Sequence, residues 1–197
     1  MPRATGSSGG VEPPEVPGVG PLVRIGGRPG ATVYRGRQID SGRGVAVKVL
    51  AAPFDRTSRA LFDREQSRIR QLRHVPVIVP IEYVGALPDG RPYLITELCA
   101  ESCAERLYRD GPLAAGLVAA IGRDLAQALA HAHERGVVHG GVTPHNVLFR
   151  RFGAVGTVAL SDLGVARRQG YLSSSAVSDG DDEFAAPETL CDGVRSS

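Results

Sequence analysis

The stretch Ile25-Gly26-Gly27-Arg28-Pro29-Gly30-Ala31-Thr32-Val33-Tyr34, followed across a turn by Val45-Ala46-Val47-Lys48, decides how this chain is read. Short apolar runs at 22–25, 31–36 and 45–50, with Asp40-Ser41-Gly42-Arg43-Gly44 before the third, predict three consecutive antiparallel strands. Glycines between the first two strands let the backbone approach a ligand closely and turn its N–H groups toward phosphate oxygens; a plain β-turn uses the same residues. Lys48 stands out for a second reason, being the only lysine among 23 basic residues. An ammonium is a compact point charge where a guanidinium is a wide planar fork, so a tight site for a phosphate oxygen can demand lysine specifically.

Further along, Leu61, Phe62, Ile69 and Leu72 recur at near-helical spacing among charged residues, which predicts an amphipathic helix over 56–74. Runs at 77–84 and 91–97, joined by Leu87-Pro88-Asp89-Gly90, predict a hairpin that completes a five-stranded sheet. Leu117, Val118, Ile121, Leu125 and Leu129 predict a long, mostly buried helix over 114–135, between Gly111-Pro112 and Gly136. Two short strands, Val147–Phe149 and Val158–Leu160, follow, and the remainder reads as loop. The first 21 residues, dominated by Gly, Pro, Ser and Val, read as a flexible tail. The order predicts an α+β chain: the tail 1–21, a sheet-bearing lobe over 22–99 and a mostly helical segment over 100–197.

A chain of 197 residues, 42% hydrophobic and 22% charged, can bury a sizeable core and has the profile of a soluble globular protein. Its 23 basic and 21 acidic residues nearly cancel, which argues against disorder throughout and against nucleic-acid binding by bulk charge. No stretch approaches the roughly 18–20 apolar residues of a membrane helix, so the expectation is a cytoplasmic chain with neither a membrane nor a nucleic-acid partner. Cys99, Cys103 and Cys191 form no Cys-x-x-Cys pair and read as free thiols.

Val45-Ala46-Val47-Lys48, Glu65 on the next helix, Asn146 after the long helix, Asp162-Leu163-Gly164 after a short strand, and Ala186-Pro187-Glu188 form an ordered series. In order and spacing the series resembles the protein kinases, and Ala31-Thr32-Val33-Tyr34-Arg35-Gly36 resembles their bacterial serine/threonine branch. The resemblance covers 22 to about 190 and implies an N-lobe of five antiparallel strands plus one helix, then the first part of a mostly helical C-lobe. It implies ATP and Mg2+ as ligands, with Lys48 binding the α- and β-phosphates and pairing with Glu65, and Asn146 and Asp162 giving oxygens to magnesium. Ile25 and Gly26 belong to the implied nucleotide-binding set. Val33 and Ala46 would cover the adenine from above and Leu148 from below, and Glu97 to Cys99 would form the hinge whose backbone pairs with the base.

The chain departs from the family in its catalytic loop. His139-Gly140-Gly141-Val142-Thr143-Pro144-His145-Asn146 stands where the family has His-Arg-Asp-x-Lys-x-x-Asn. Gly141 takes the place of the proton-accepting aspartate, and Thr143 that of the lysine which steadies the transferred phosphoryl group. Loss of a positioned base costs about 10² to 10⁴ in rate, roughly 3 to 5 kcal/mol. The expectation is a nucleotide-binding module with a regulatory or scaffolding role; the alternatives are a weakly active serine/threonine kinase and a nonfunctional remnant. His145 lies four residues beyond the vacant position and would reach the cleft only in a rebuilt loop, and His131 and His133 read as helix-packing residues. Gly140 replaces an arginine that reads phosphorylated loops, so Ser173, Ser174, Ser175 and Ser178 read as ordinary loop residues.

The Gly-rich turn departs too. Arg28 stands where a second glycine is expected and Pro29 has no N–H, which weakens phosphate contact while Arg28 partly compensates by charge. The chain stops nine residues after Glu188, before the helices that complete a kinase C-lobe. A truncated product, or a domain that needs a partner, is therefore expected, with a protein partner or self-association covering the apolar face of the 114–135 helix.

Overall fold

In strand β3 (Gly44–Leu50), Val45, Val47 and Val49 are buried on one side while Ala46 and Lys48 turn to the other, the period-two alternation of a strand in a sheet with two unlike faces. The computed structural model describes residues 12–28, 30–150, 158–163 and 182–184. Around β3 it arranges β1 (Val23–Arg28), β2 (Ala31–Arg37), β4 (Ile81–Ala86) and β5 (Pro92–Glu97) as one antiparallel sheet in the order β1-β2-β3-β5-β4. Register places Val33 of β2 and Leu94 of β5 on either side of Lys48, and Thr96 beside Ala46. One face of the sheet therefore carries the groups the Gly-rich turn and the lysine need as neighbours.

The other face explains why the expected flexible tail is corrected in part. Residues 1–11 lie outside the described residues, but Val16 and Val19 are buried, and with Leu22 they pack on Tyr34, Val45, Val47, Val49, Tyr93 and Ile95. Gly20 N donates to Arg37 O at 2.8 Å and Ile39 N to Gly18 O at 2.9 Å, so the segment runs as a strap along β2. Gly36 makes room for it: a Cβ there would come within 2.5 Å of Val19 Cγ1 and 2.8 Å of Leu22 Cδ2. Without the strap, the buried valines of β3 would meet water, and spaced valines in a Gly/Pro-rich segment are enough to cover them.

Helix α1 (Arg56–Arg70) is capped by Asp55, whose carboxylate accepts from Ser58 N at 2.7 Å, and it lays Phe62, Gln66 and Ile69 inward. It ends four residues short of the expected His74, in successive turns. The expected strand over 77–84 also shifts. Residues 77–79 run beside the lower lobe, with Leu160 N donating to Val77 O at 2.7 Å and Val79 N to Leu160 O at 3.0 Å, and β4 begins at Ile81.

Below the sheet, β6 (Glu101–Ser102), β7 (Val147–Phe149) and β8 (Val158–Leu160) form a small antiparallel sheet in that order. Helix α2 (Cys103–Asp110) was not expected. Ser102 and Glu105 form a reciprocal capping box at its start, and Arg106 bonds Glu101 and lies 3.5 Å from the Phe149 ring centroid, pinning the helix to β7. Helix α3 (Ala115–Glu134) is less buried than expected. Ile121, Ala128 and Ala132 are buried, Leu117, Leu125 and Leu129 are half-buried against the same core, and Val118 is exposed. A 3-10 turn, Asp182–Phe184, is the last described element. Gly164, the Ala186-Pro187-Glu188 run, the four loop serines and Cys191 lie outside the described residues; Cys99 and Cys103 are free thiols.

Candidate functional site

The underside of the upper sheet and the strands of the lower lobe enclose a cleft of about 790 Å³. Its roof is Val33 and Ala46, with Ile25 and Gly26 at the lip, and its floor is Leu148. Glu97, Leu98 and Cys99 close the back, where the chain passes between lobes, and Lys48, Asn146 and Asp162 line the opposite end. Every nucleotide- and metal-binding residue expected from the sequence thus lines one cavity. Glu65 and Gly141 do not.

Lys48 Nζ bonds Asp162 Oδ2 at 2.7 Å, joining positions 114 residues apart. This corrects the expected Lys48–Glu65 pair: the ammonium's ion pair is with Asp162, and Glu65 sits half-buried on α1 away from the cleft lining. Burial pushes the Asp162 carboxyl pKa up, but the Lys48 charge and hydrogen bond, with a smaller contribution from the Arg28 charge, outweigh it and hold the group below the usual aspartate value. Asp162 also has φ of 61°, a left-handed backbone that costs a non-glycine residue of order 1 kcal/mol and is tolerated where surrounding bonds hold it.

Those bonds come from the loop before β7. Gly141 N donates to His139 Nδ1 at 3.1 Å, which leaves the ring proton on Nε2, and Nε2 donates to Ser161 O at 2.9 Å. His139 is therefore neutral, and burial lowers its pKa from 6.5. Asn146 Nδ2 donates to Gly141 O at 2.7 Å, and Asn146 O accepts from Ser161 N at 2.9 Å. Backbone and ring thus tie residues 139–146 to Ser161 and hand Asp162 into the cleft. Gly141 contributes only its main chain to this network, and the Thr143 hydroxyl is buried without a hydrogen bond. Neither residue presents a base or a cation to the cleft. Of the histidines, His145 is among the residues that line the cleft, while the imidazole tied into the loop is His139.

At the back wall Arg150, which follows β7, holds both oxygens of Glu97 from Nε at 3.0 and 3.1 Å and donates to the carbonyl of Pro76. No local pattern links positions 53 residues apart, so sequence reading missed this clamp. Cys99 beside it is an unreactive thiol: burial first, then the Glu97 charge, push its pKa up to about 11.

The donor set can be tested against magnesium. With Nδ2 donating to Gly141, the Asn146 carbonyl oxygen is open, and with the Asp162 carboxylate it makes a pair of hard oxygens of the kind the ion takes. Among the described residues no cluster of three or more His, Cys, Asp or Glu could hold a metal, so phosphate and water would have to fill most of an octahedral shell. The residues fit the ion only as a companion of a phosphate ligand.

Residues 22–197 match the family described as the protein kinase domain. This chain belongs to that family. Over 160 residues it is 39% identical to serine/threonine-protein kinase PknK of Mycobacterium tuberculosis, covering 80% of this chain and 14% of the relative. Over 172 residues it is 33% identical to the DNA damage-responsive serine/threonine-protein kinase RqkA of Deinococcus radiodurans, covering 85% of this chain and 25% of the relative. The chain therefore spans a quarter or less of these two relatives. The crystal structure of the M. tuberculosis PknI kinase domain superposes with a TM-score of 0.64 at 28% identity, over 86% of this chain and 69% of that one. These likenesses bear out the kinase-like fold, with its five-stranded N-lobe and partial C-lobe, and the bacterial branch. No helix among the described residues is long and apolar enough to cross a membrane.

Proposed function

We propose that this kinase-family chain binds a nucleoside triphosphate, ATP with magnesium, and does not transfer its phosphate, acting through the bound state as a regulatory or scaffolding module. The observation that carries the reading is a contrast at one end of the cleft: Lys48, Asp162 and Asn146 line it together, while Gly141, bonded to the Asn146 side chain, offers no side chain of its own. A base removes the proton of the attacking hydroxyl in the family's reaction, and glycine has nothing to accept it with. Lys48 would draw the phosphates, the apolar roof and floor would hold the base, and Asn146 and Asp162 would hold magnesium, which when bound neutralises phosphate charge.

The test is thermal stability with ligand. A ligand that binds only the folded chain at about 100 times its Kd adds roughly 2.7 kcal/mol, so melting temperature should rise with ATP and magnesium and the rise should vanish in Asp162→Ala. No rise at millimolar nucleotide refutes the reading. Transfer of phosphate to protein by the wild-type chain, abolished by Lys48→Met, would favour a weakly active serine/threonine kinase instead.

A further inference from the structure

Three consecutive residues at the end of β7 each meet a different part of the cleft's frame. Leu148 is the floor. The main chain of Phe149 holds one end of the back wall, where Ala100 N donates to Phe149 O at 2.8 Å, and Arg150 holds the other end through Glu97. Residues 149 and 150 thus grip both ends of the segment 97–100, and between the two anchors lie Leu98 and Cys99, both lining the cleft.

The anchors differ in kind. The Ala100–Phe149 bond continues the backbone pairing of β6 with β7, which any side chains allow. The anchor on Glu97 depends on one side chain. Arg150 Nε donates to both Glu97 oxygens, one terminal nitrogen donates to Pro76 O, and the other reaches Ile78 O at 3.4 Å. One planar fork therefore joins the back wall, β7 and the 76–78 stretch, a span that the single ammonium of a lysine does not offer. The Arg150 and Glu97 side chains are 25% and 30% exposed, and an ion pair so open to water adds little to the stability of a fold. What the pair does is geometric: it fixes where the main chain after Glu97 stands relative to Leu148.

That relation matters to a base lying on Leu148. A base stacked between floor and roof offers its hydrogen-bonding edge in one plane, and main-chain groups tell edges apart only when they are held in that plane. Adenine carries an amine that donates where hypoxanthine carries a carbonyl that accepts. A site built around such a bond rejects the analogue that lacks it, because a buried group is then left unpaired. A back wall free to shift would pair with either.

We infer that Arg150 gives the cleft its preference for adenine, as a positioning residue that acts through Glu97 and is not itself part of the cleft lining. The inference rests on the nucleotide-binding reading above and deepens it from binding to the choice of base.

Calorimetric titration of the full chain with ATP and with inosine triphosphate, both in magnesium, tests it. The wild type should bind ATP about tenfold or more tightly than inosine triphosphate. Arg150→Met keeps an apolar stem and removes the donors, so it should weaken ATP about tenfold, leave inosine triphosphate within about twofold and erase the preference. Glu97→Gln, which removes the charge from the other partner, should shift the preference in the same direction. Equal losses of both nucleotides in Arg150→Met, the mark of a merely structural role, overturn this inference and leave the nucleotide-binding reading standing, as does a wild type that binds the two alike. Should Arg150→Met fail to melt cooperatively, Glu97→Gln decides, and an unchanged preference there overturns the inference. No heat with either nucleotide from wild-type chain that melts cooperatively overturns both readings.

Discussion

The roof of the cleft and the loop beneath it are built by different physics, and they have fared differently. The roof is a sheet: Val33, Ala46 and Lys48 face the cavity because pairing register and a period of two leave them no other face. The loop 139–146 instead holds its shape through individual bonds, from the His139 ring to Gly141 and Ser161 and from the Asn146 amide to Gly141 O. Those bonds use the main chain of residue 141, so none of them depends on the side chain that stands there. A catalytic carboxylate can be lost from such a loop without disturbing the fold, whereas Lys48 belongs to a strand whose neighbours all depend on register. On the proposed reading, binding and phosphoryl transfer are separable in this architecture, and this chain carries residues for the first.

The largest effect that would sharpen the contrast is a gain. Gly140 has φ of 77°, a backbone suited to glycine, but Gly141 is not among the positive-φ residues, so its backbone conformation does not itself demand glycine. Gly141→Asp should raise phosphate transfer from ATP to a protein substrate by about 10² or more over the wild type, short of a full kinase because Thr143 supplies no cation. A radiolabel transfer assay reads it, and a wild type already as fast as the variant would break the contrast.

Next in size is the floor. Phe149 is fully buried under Arg106, and Phe149→Ala should destabilise the chain by about 3 to 5 kcal/mol in denaturant unfolding. Gly36→Leu acts on the roof from outside. Its side chain collides with Val19 and Leu22, so the strap should lift, giving faster hydrogen exchange at Ile39 N and Gly20 N and a loss of about 1 to 3 kcal/mol. Protection unchanged at those amides would show that the strap is not packed as described.

The smallest effect is a pH slope. The folded pKa of His139 lies below 6.5, so between that value and 6.5 the unfolded chain binds the extra proton and stability falls as pH drops. His139→Gln should flatten the melting temperature between pH 6.5 and the acid range in proportion to that one proton. An unchanged slope would mean that the ring is not buried neutral.

Much of this was legible before the structure. The sheet followed from alternation and turn residues, and the cleft lining, from Ile25 to Leu148, followed from motif order because strand register carries those positions to one place. Helix α2 had a local signal, Ser102 and Glu105 three residues apart, but a helix of eight residues is too short for periodicity to announce. Pairings across long separations left no local trace: the choice of Asp162 over Glu65 by Lys48, the Arg150 clamp on Glu97, and the strap's valines beneath β3. Each is decided by how elements pack, which composition and spacing do not encode.

The most direct test of the central claim is to load the wild-type chain with ATP labelled at the γ-phosphate, separate bound from free nucleotide, and follow the label in the bound fraction over time. The account predicts that label is retained by the protein and stays in ATP. Label appearing on serine or threonine, or none retained by a folded chain, would contradict it.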